Sequence, residues 1–336
     1  MTVSVLSIDG GGMKGIISAI TLKRLEKYLK EYSKDDSSSL IDYFDLVAGT
    51  STGSILTALL LCRGEKGRPR YTIDDVLEMY LSRGKEMFHK RTLYPINTLF
   101  GLFGSKYTNK YFYNALNEYF GDLKISELLR PCLIVSYDMK RRRTLFFNSS
   151  SSKKNENKDM KVADAVLASC AAPTYFPPVN VHIGEGCSEC LIDGGVSANN
   201  PSMSALIEAL KMSNVQTIND VYLLSMGNAT KQKSYDCKQV KRWGLIGFAL
   251  PIFDVIMTSS EEIVDYELKK LYESRQILDQ YQRIEAVISE SIPAMDDTST
   301  AGLNRFVEIG NNLADQSELI LRNFAKKLVA IKTKNR

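Results

Sequence analysis

The sequence predicts an α/β fold: a mostly parallel central sheet with helices on both faces, followed by a helical C-terminal region. Three observations predict it. Short apolar runs such as Val3-Ser4-Val5-Leu6-Ser7-Ile8 have the character of strands buried on both faces. The first two such runs each lead through a glycine-containing turn into a helix-like segment. From about Lys231 onward the pattern turns helical and more polar.

In chain order, Val3–Ile8 is the first strand, and Lys14–Lys30 a helix with Leu22, Leu25 and Leu29 on one face. Tyr43–Ala48 is a second short strand and Ser54–Cys62 a second helix. Cys132–Tyr137 and Thr144–Phe147 form a hairpin around Lys140-Arg141-Arg142-Arg143, a solvated tip. Asn148 to Lys158 reads as a polar loop, and Val162–Cys170 as an Ala-rich helix ended by the prolines at 173, 177 and 178. Cys190–Ile192 is a strand. Asn200-Pro201 opens a helix, Asn as its cap, with Met203, Leu206, Ile207 and Leu210 inward. Val221–Ser225 is a further strand, and the chain ends in an amphipathic helix carrying Ile320, Leu321, Phe324 and Leu328. The expected organisation is a catalytic α/β domain over 1–230 and a helical extension over 231–336 packed on it.

Composition narrows the function. Hydrophobic residues at 44% and charged residues at 24% fit a globular chain and exclude a disordered one. A net charge of +4 over 336 residues is too small to argue for nucleic acid. The six cysteines do not make a disulfide scaffold. No basic leader precedes the first strand, so no signal peptide is expected. The uncharged run Leu46–Cys62 has 17 residues, broken by Gly49, Gly53 and five Ser or Thr, and does not make a membrane span. A cytoplasmic protein, soluble or peripheral to a membrane, is the expectation.

Asp9-Gly10-Gly11-Gly12-Met13-Lys14-Gly15 lies between a strand and a helix. Gly10, Gly12 and Gly15 fit G-x-G-x-x-G, but no second strand presents an acidic residue about 20 positions on, as a dinucleotide site needs. A nucleotide site, an anion hole and a tight turn all remain open for this motif alone. In each, the glycines expose backbone N–H groups toward negative charge. Gly49-Thr50-Ser51-Thr52-Gly53 is G-x-S-x-G between strand and helix, the context of a nucleophile elbow, with the Thr52 N–H beside the attacked carbonyl.

A serine nucleophile needs a base, and the chain has only His89 and His182, neither at a strand-end loop. Asp193-Gly194-Gly195 follows an apolar strand and offers a carboxylate instead, although alone it also reads as a turn.

In this order, Asp9–Gly15, Gly49–Gly53, Ala171-Ala-Pro-Thr-Tyr-Phe-Pro-Pro178 and Asp193-Gly-Gly-Val-Ser-Ala-Asn-Asn-Pro201 resemble the patatin-like phospholipases. Weaker similarity to plant-type patatins runs through Trp243-Gly244-Leu245 into the C-terminal helices. The resemblance implies a three-layer α/β sandwich with a Ser–Asp dyad, Ser51 as nucleophile and Asp193 as proton acceptor. It further implies an oxyanion hole from Gly10, Gly11 and Gly12, with Gly15, Gly49, Gly53, Gly194 and Gly195 as motif support. Lys14 stands where many members have Arg, and Ser54 where a further Gly is frequent.

The expected activity is that of a lipid acyl hydrolase of the phospholipase A, lysophospholipase or galactolipase type. Its partner would be phospholipid or galactolipid at a membrane surface, with no metal and no cofactor. Acyl transfer to an alcohol, or a nucleotide-binding or storage module with a vestigial site, are the alternatives. The uncharged stretch Thr92–Ser105, with Leu99 and Phe103, either lines the lipid entrance or fills core. The lone pair Cys187 and Cys190 reads as structural thiols, and the basic end of the chain as a tail. The oligomeric state is left open.

Overall fold

The computed structural model describes residues 1–90, 104–156, 159–182, 188–231, 235–244, 247–248, 251–288 and 291–335. Its strands are β1 (Val3–Ile8), β2 (Leu46–Thr50), β3 (Cys132–Asp138), β4 (Arg143–Asn148), β5 (Val179–His182), β6 (Ser188–Asp193), β7 (Val221–Lys231) and β8 (Tyr281–Ile288). They join in one sheet, ordered β5-β6-β3-β2-β1-β7-β8, with β4 paired to β3 off that path. The run β3-β2-β1-β7-β8 is parallel throughout, and β4, β5 and β6 add antiparallel pairs at one side.

Alternation along each strand feeds two separate cores. Leu6 and Ile8 of β1, Val47 of β2 and Leu224 of β7 enter one, beneath α1 (Gly15–Ser33), α2 (Thr52–Leu61), α3 (Ile73–Met87), α4 (Asn109–Phe120) and α5 (Val162–Ser169). Val3 and Val5, Leu46 and Ala48, and Leu223 enter the other, beneath α6 (Ser202–Leu210) and α7 (Pro251–Ser274). Helix, sheet, helix makes three layers, and burial on both faces explains why β1 has no charged side chain and only the small polar residues Ser4 and Ser7. The helices α8 (Thr300–Gln316) and α9 (Glu318–Lys334) close the first layer against α1 through Phe306, Ile309, Leu321 and Phe324.

Several elements differ from the sequence expectation. The second strand starts at Leu46, because Ser39 and Asp42 close a capping box over the 3₁₀ turn Leu40–Tyr43. Residues Ser149–Lys154, expected as loop, form a short helix capped by Asn148, whose side chain accepts from the Ser151 N–H. In α6 the buried face is Ser202, Ala205, Leu206 and Ala209, while Ile207 is 51% exposed. Small residues let this helix approach β1 and β7 closely, with the Ser202 and Ser225 hydroxyls 2.9 Å apart. Ile320 likewise faces outward on α9.

The largest omission is β8, a strand inside the region expected to be helical. Its sequence Tyr-Gln-Arg-Ile-Glu-Ala-Val-Ile is half polar, and it hydrogen-bonds parallel to β7. The expected boundary at residue 230 therefore falls at the end of β7, inside a sheet that the later residues complete. The stretch 91–103, which held the proposed apolar entrance, lies outside the described residues, as does Cys187.

Candidate active site

The turn from β2 into α2 bears Ser51 with φ 52° and ψ −122°, a left-handed backbone that a side chain adopts only under strain. Sterics demand glycine on either side of it. A Cβ on Gly49 would lie 2.2 Å from the Gly53 carbonyl oxygen, and one on Gly53 would lie 2.1 Å from the Ile8 carbonyl oxygen. The elbow is thus wedged against the end of β1. Two hydrogen bonds hold it: the Ser51 N–H donates to Ser169 Oγ at 2.9 Å, and Ser54 Oγ donates to the Ser51 carbonyl at 2.6 Å.

Strand register brings Asp193 to this serine. One edge of β3 pairs with β4; the other is shared by two strands. Opposite residues 132–135 lies β2, and opposite residues 136–138 lies β6. These two run toward each other and meet tip to tip, Thr50 beside Val135 and Asp193 beside Ser136. Ser51 Oγ consequently donates to Asp193 Oδ2 at 2.6 Å across 142 residues of sequence. The Gly195 N–H donates to the other carboxylate oxygen at 2.7 Å. Burial pushes the Asp193 carboxyl up to about 7, opposed by these two hydrogen bonds.

Ser169, at the end of α5, ties the parts together. Its hydroxyl accepts from Ser51 and donates to the Val135 carbonyl at 2.6 Å, and its carbonyl accepts from the Gly194 N–H at 3.3 Å. Nothing in the sequence distinguished it from its Ala-rich neighbours.

The glycine loop after β1 faces the same point. The Gly10 N–H donates to the Asn199 carbonyl at 3.1 Å and is therefore engaged. Among the described residues, the N–H groups of Gly11, Gly12 and Thr52 have no protein acceptor, and all three residues line one cavity with Ser51 and Asp193. Gly12 has φ +60°, and a Cβ there would lie 2.3 Å from the Met295 carbonyl oxygen.

Residues distant in sequence clamp this loop. The Met13 N–H donates to that same Met295 carbonyl at 2.7 Å. A β-bulge in β7 between Met226 and Ala229 turns Asn228 beneath the loop, where its amide donates to the Gly10 carbonyl at 2.7 Å. Arg283 of β8 donates to Asp9 Oδ2 at 2.8 Å, both side chains buried. Burial pushes Asp9 up to about 8, with the Arg283 guanidinium working in the opposite direction. None of these clamps carries a local motif.

The cavity is narrow, with a volume of about 30 Å³, and opens beside the reacting groups. Beyond the polar floor its walls are apolar, with Ile55, Met87, Phe88, Phe112, Phe176 and Met257 among them. Tyr80 joins the wall with its hydroxyl on Thr52, 2.5 Å from Oγ1 and donating to the carbonyl at 3.0 Å; Gly15 leaves room for that pair. Gly11, Tyr175, Met257 and Met295 also border a wider outer groove containing Lys14, Asp254 and Glu261. Lys14 does not point at the reacting centre. Its ammonium donates to the Ala229 carbonyl at 3.1 Å, burial lowering its pKa while Glu261 and Asp254 oppose.

His89 is exposed, packs against Tyr111 with ring centroids 4.2 Å apart, and is absent from the cavity wall. No group of three or more His, Cys, Asp or Glu residues suited to a metal occurs among the described residues. No helix among them is long and apolar enough to cross a membrane.

A family model described as Patatin-like phospholipase matches residues 6–206. Patatin-like protein 4 of Arabidopsis thaliana is 31% identical over 334 residues, covering 93% of this chain and 83% of that protein. Patatin-2-Kuras 3 of Solanum tuberosum is 32% identical over 353 residues, covering 97% and 89%. A potato relative named Probable inactive patatin-3-Kuras 1 is 31% identical over 352 residues, covering 97% and 92%. Among solved structures, VipD from Legionella pneumophila covers 94% of this chain and 67% of its own, at 12% identity and TM-score 0.43. That likeness is too slight to bear on function.

Proposed function

Since the chain belongs to the patatin-like phospholipase family, we propose that it is a lipid acyl hydrolase working through Ser51 and Asp193. Membership alone does not decide activity, because one potato relative is named probable inactive. The observation that carries the reading is the 2.6 Å contact from Ser51 Oγ to Asp193 Oδ2 on the floor of an apolar cavity.

The steps follow from the geometry. Ser51 Oγ attacks the ester carbonyl while its proton passes to Asp193. A carboxyl poised near 7 suits that role at neutral pH, ionised often enough to accept and acidic enough to return the proton. The tetrahedral oxyanion takes hydrogen bonds from the unengaged N–H groups of Gly11, Gly12 and Thr52, each worth about 10²–10³ in rate. Asp193 then protonates the departing alcohol, leaving an acyl-serine. Water, deprotonated by the same carboxylate, hydrolyses it. The apolar wall around Phe112 and Phe176 would hold the acyl chain, and the outer groove the alcohol part of a phospholipid or galactolipid.

Labelling with a fluorophosphonate, followed by peptide mapping, tests the nucleophile. Adduct at Ser51, absent in Ser51→Ala and suppressed in Asp193→Asn, together with fatty acid released from a phospholipid and galactolipid panel, is the expected result. A wild-type chain that takes no label and releases no fatty acid would overturn the reading.

A further inference from the structure

We propose that the surface bearing Lys238, Lys241, Arg242, Trp243, Phe248 and the first turns of α7 docks the protein onto an anionic lipid surface, a proposal that rests on the lipid acyl hydrolase reading. The first turns of α7 carry Ile252, Val255 and Ile256 at helical spacing on one face, at 43%, 43% and 40% exposure, with Phe248 beside them at 39%. Large apolar side chains so clustered on the outside of a protein mark an interaction site. Its position says what kind. Ile252 and Ile256 line the outer groove, and Met257, next along the helix, lines both that groove and the catalytic cavity. The exposed patch thus borders the groove that adjoins the catalytic cavity.

Charge and aromatic content say what covers it. Just before the patch, Lys238, Lys241 and Arg242 are all exposed. Over residues 236–256 these three cations face two acids, Asp236 and Asp254. Trp243 joins the two parts, packing edge-on against Tyr235 at 5.0 Å and Phe248 at 5.1 Å between ring centroids. Cations, then tryptophan, then aliphatic side chains is the sequence of chemistries across a bilayer interface, from anionic headgroups through the interfacial zone to acyl chains. A bilayer satisfies both halves and delivers an ester-linked acyl chain to the cavity mouth.

Trp243 is the only tryptophan, so its emission reports on this surface alone. The full chain carrying Ser51→Ala, which cannot consume the lipid, is mixed with phosphatidylglycerol–phosphatidylcholine vesicles or with phosphatidylcholine alone. The expected result is a blue shift and quenching by brominated acyl chains on the anionic vesicles, weakened by salt. Lys238→Glu with Lys241→Glu, surface changes that leave the core intact, should lower binding to anionic vesicles about 25-fold or more, at roughly fivefold per cation removed. Phe248→Asp with Val255→Asp should slow hydrolysis of vesicle lipid at least tenfold while sparing a short-chain monomeric ester. No quenching of Trp243 on vesicles the wild type hydrolyses, or charge variants that bind unchanged, would overturn the proposal. So would a solution dimer that Val255→Asp splits. Failure to cleave the monomeric ester would instead remove the hydrolase reading, and quenching would still decide the docking face.

Discussion

Replacing Asp193 by Asn should abolish turnover and at the same time stabilise the protein, by an amount that depends on pH. The carboxyl is 2% exposed, and burial lifts it from 3.8 to about 7. At about 1.4 kcal/mol for each tenfold change in ionisation, holding it charged near pH 8 costs the native state roughly 4 kcal/mol. The native pKa lies above the unfolded one, so folding binds protons in this range. The stabilisation is full below the unfolded value and is lost as pH rises through about 7. Asn keeps the shape and neither ionises nor loses the Gly195 contact, since its carbonyl oxygen still accepts that N–H. Its amide can donate to Ser51 Oγ. Urea midpoints of the two proteins from about pH 5 to pH 9 give the assay, and taking their difference removes the separate contribution of Asp9. The variant should gain about 4 kcal/mol near pH 8 and under half of that near pH 5, with ester turnover down at least about 10³-fold. Wild-type kcat/KM should rise through about pH 7 as the base ionises. A stability difference flat in pH, or a variant keeping more than about a tenth of turnover, would refute the reasoning.

Ser51→Gly should relieve the left-handed strain and raise stability by about 1–3 kcal/mol while removing ester turnover, read by thermal melting beside a monomeric ester assay. Gly53→Ala inserts a methyl 2.1 Å from the Ile8 carbonyl, so the elbow must shift. Soluble protein with Ser51 labelling slowed at least about tenfold is expected, since misplacing a reacting group by even 1 Å costs about 10²-fold. Arg283→Met strands the buried Asp9 and should cost about 3–5 kcal/mol in urea unfolding. The loss should be greater near pH 9 than near pH 6, where Asp9 takes up a proton, and Asp9→Asn in the same chain should restore most of it.

Features legible in the sequence are those carried by local chemistry. β1 was readable to the residue because burial on both faces leaves it no charged residue and only the small hydroxyls of Ser4 and Ser7, and Ser51 and Asp193 were readable because each sits in a glycine setting that sterics require. The 2.6 Å contact between them depends on β2 and β6 sharing an edge of β3, which no pattern in either strand announces. Ser169, Asn228 and Arg283 act through contacts to residues far away in the chain and have no neighbours that mark them. β8 was not legible because Gln282, Arg283 and Glu285 break any strict alternation in a strand at the sheet margin. Gly10 illustrates a finer limit: its place in the motif is plain, but only the structure reveals that Asn199 already takes its N–H.

The clamps on the glycine loop also set an order of events in the life of the chain. Asp9 and Arg283 stand 274 positions apart, and the Met295 carbonyl that receives Met13 lies further on still. A chain emerging N-terminus first from the ribosome presents both Ser51 and Asp193 before either anchor has been made. Until those late residues fold back, Asn199 and Asn228 hold Gly10, but the carbonyl that seats Met13 and the guanidinium that pairs with Asp9 are missing. A shortened product ending after β7 would carry Ser51 and Asp193 but neither of those late anchors, so the loop that faces the pair is completed only after both of its partners have been made.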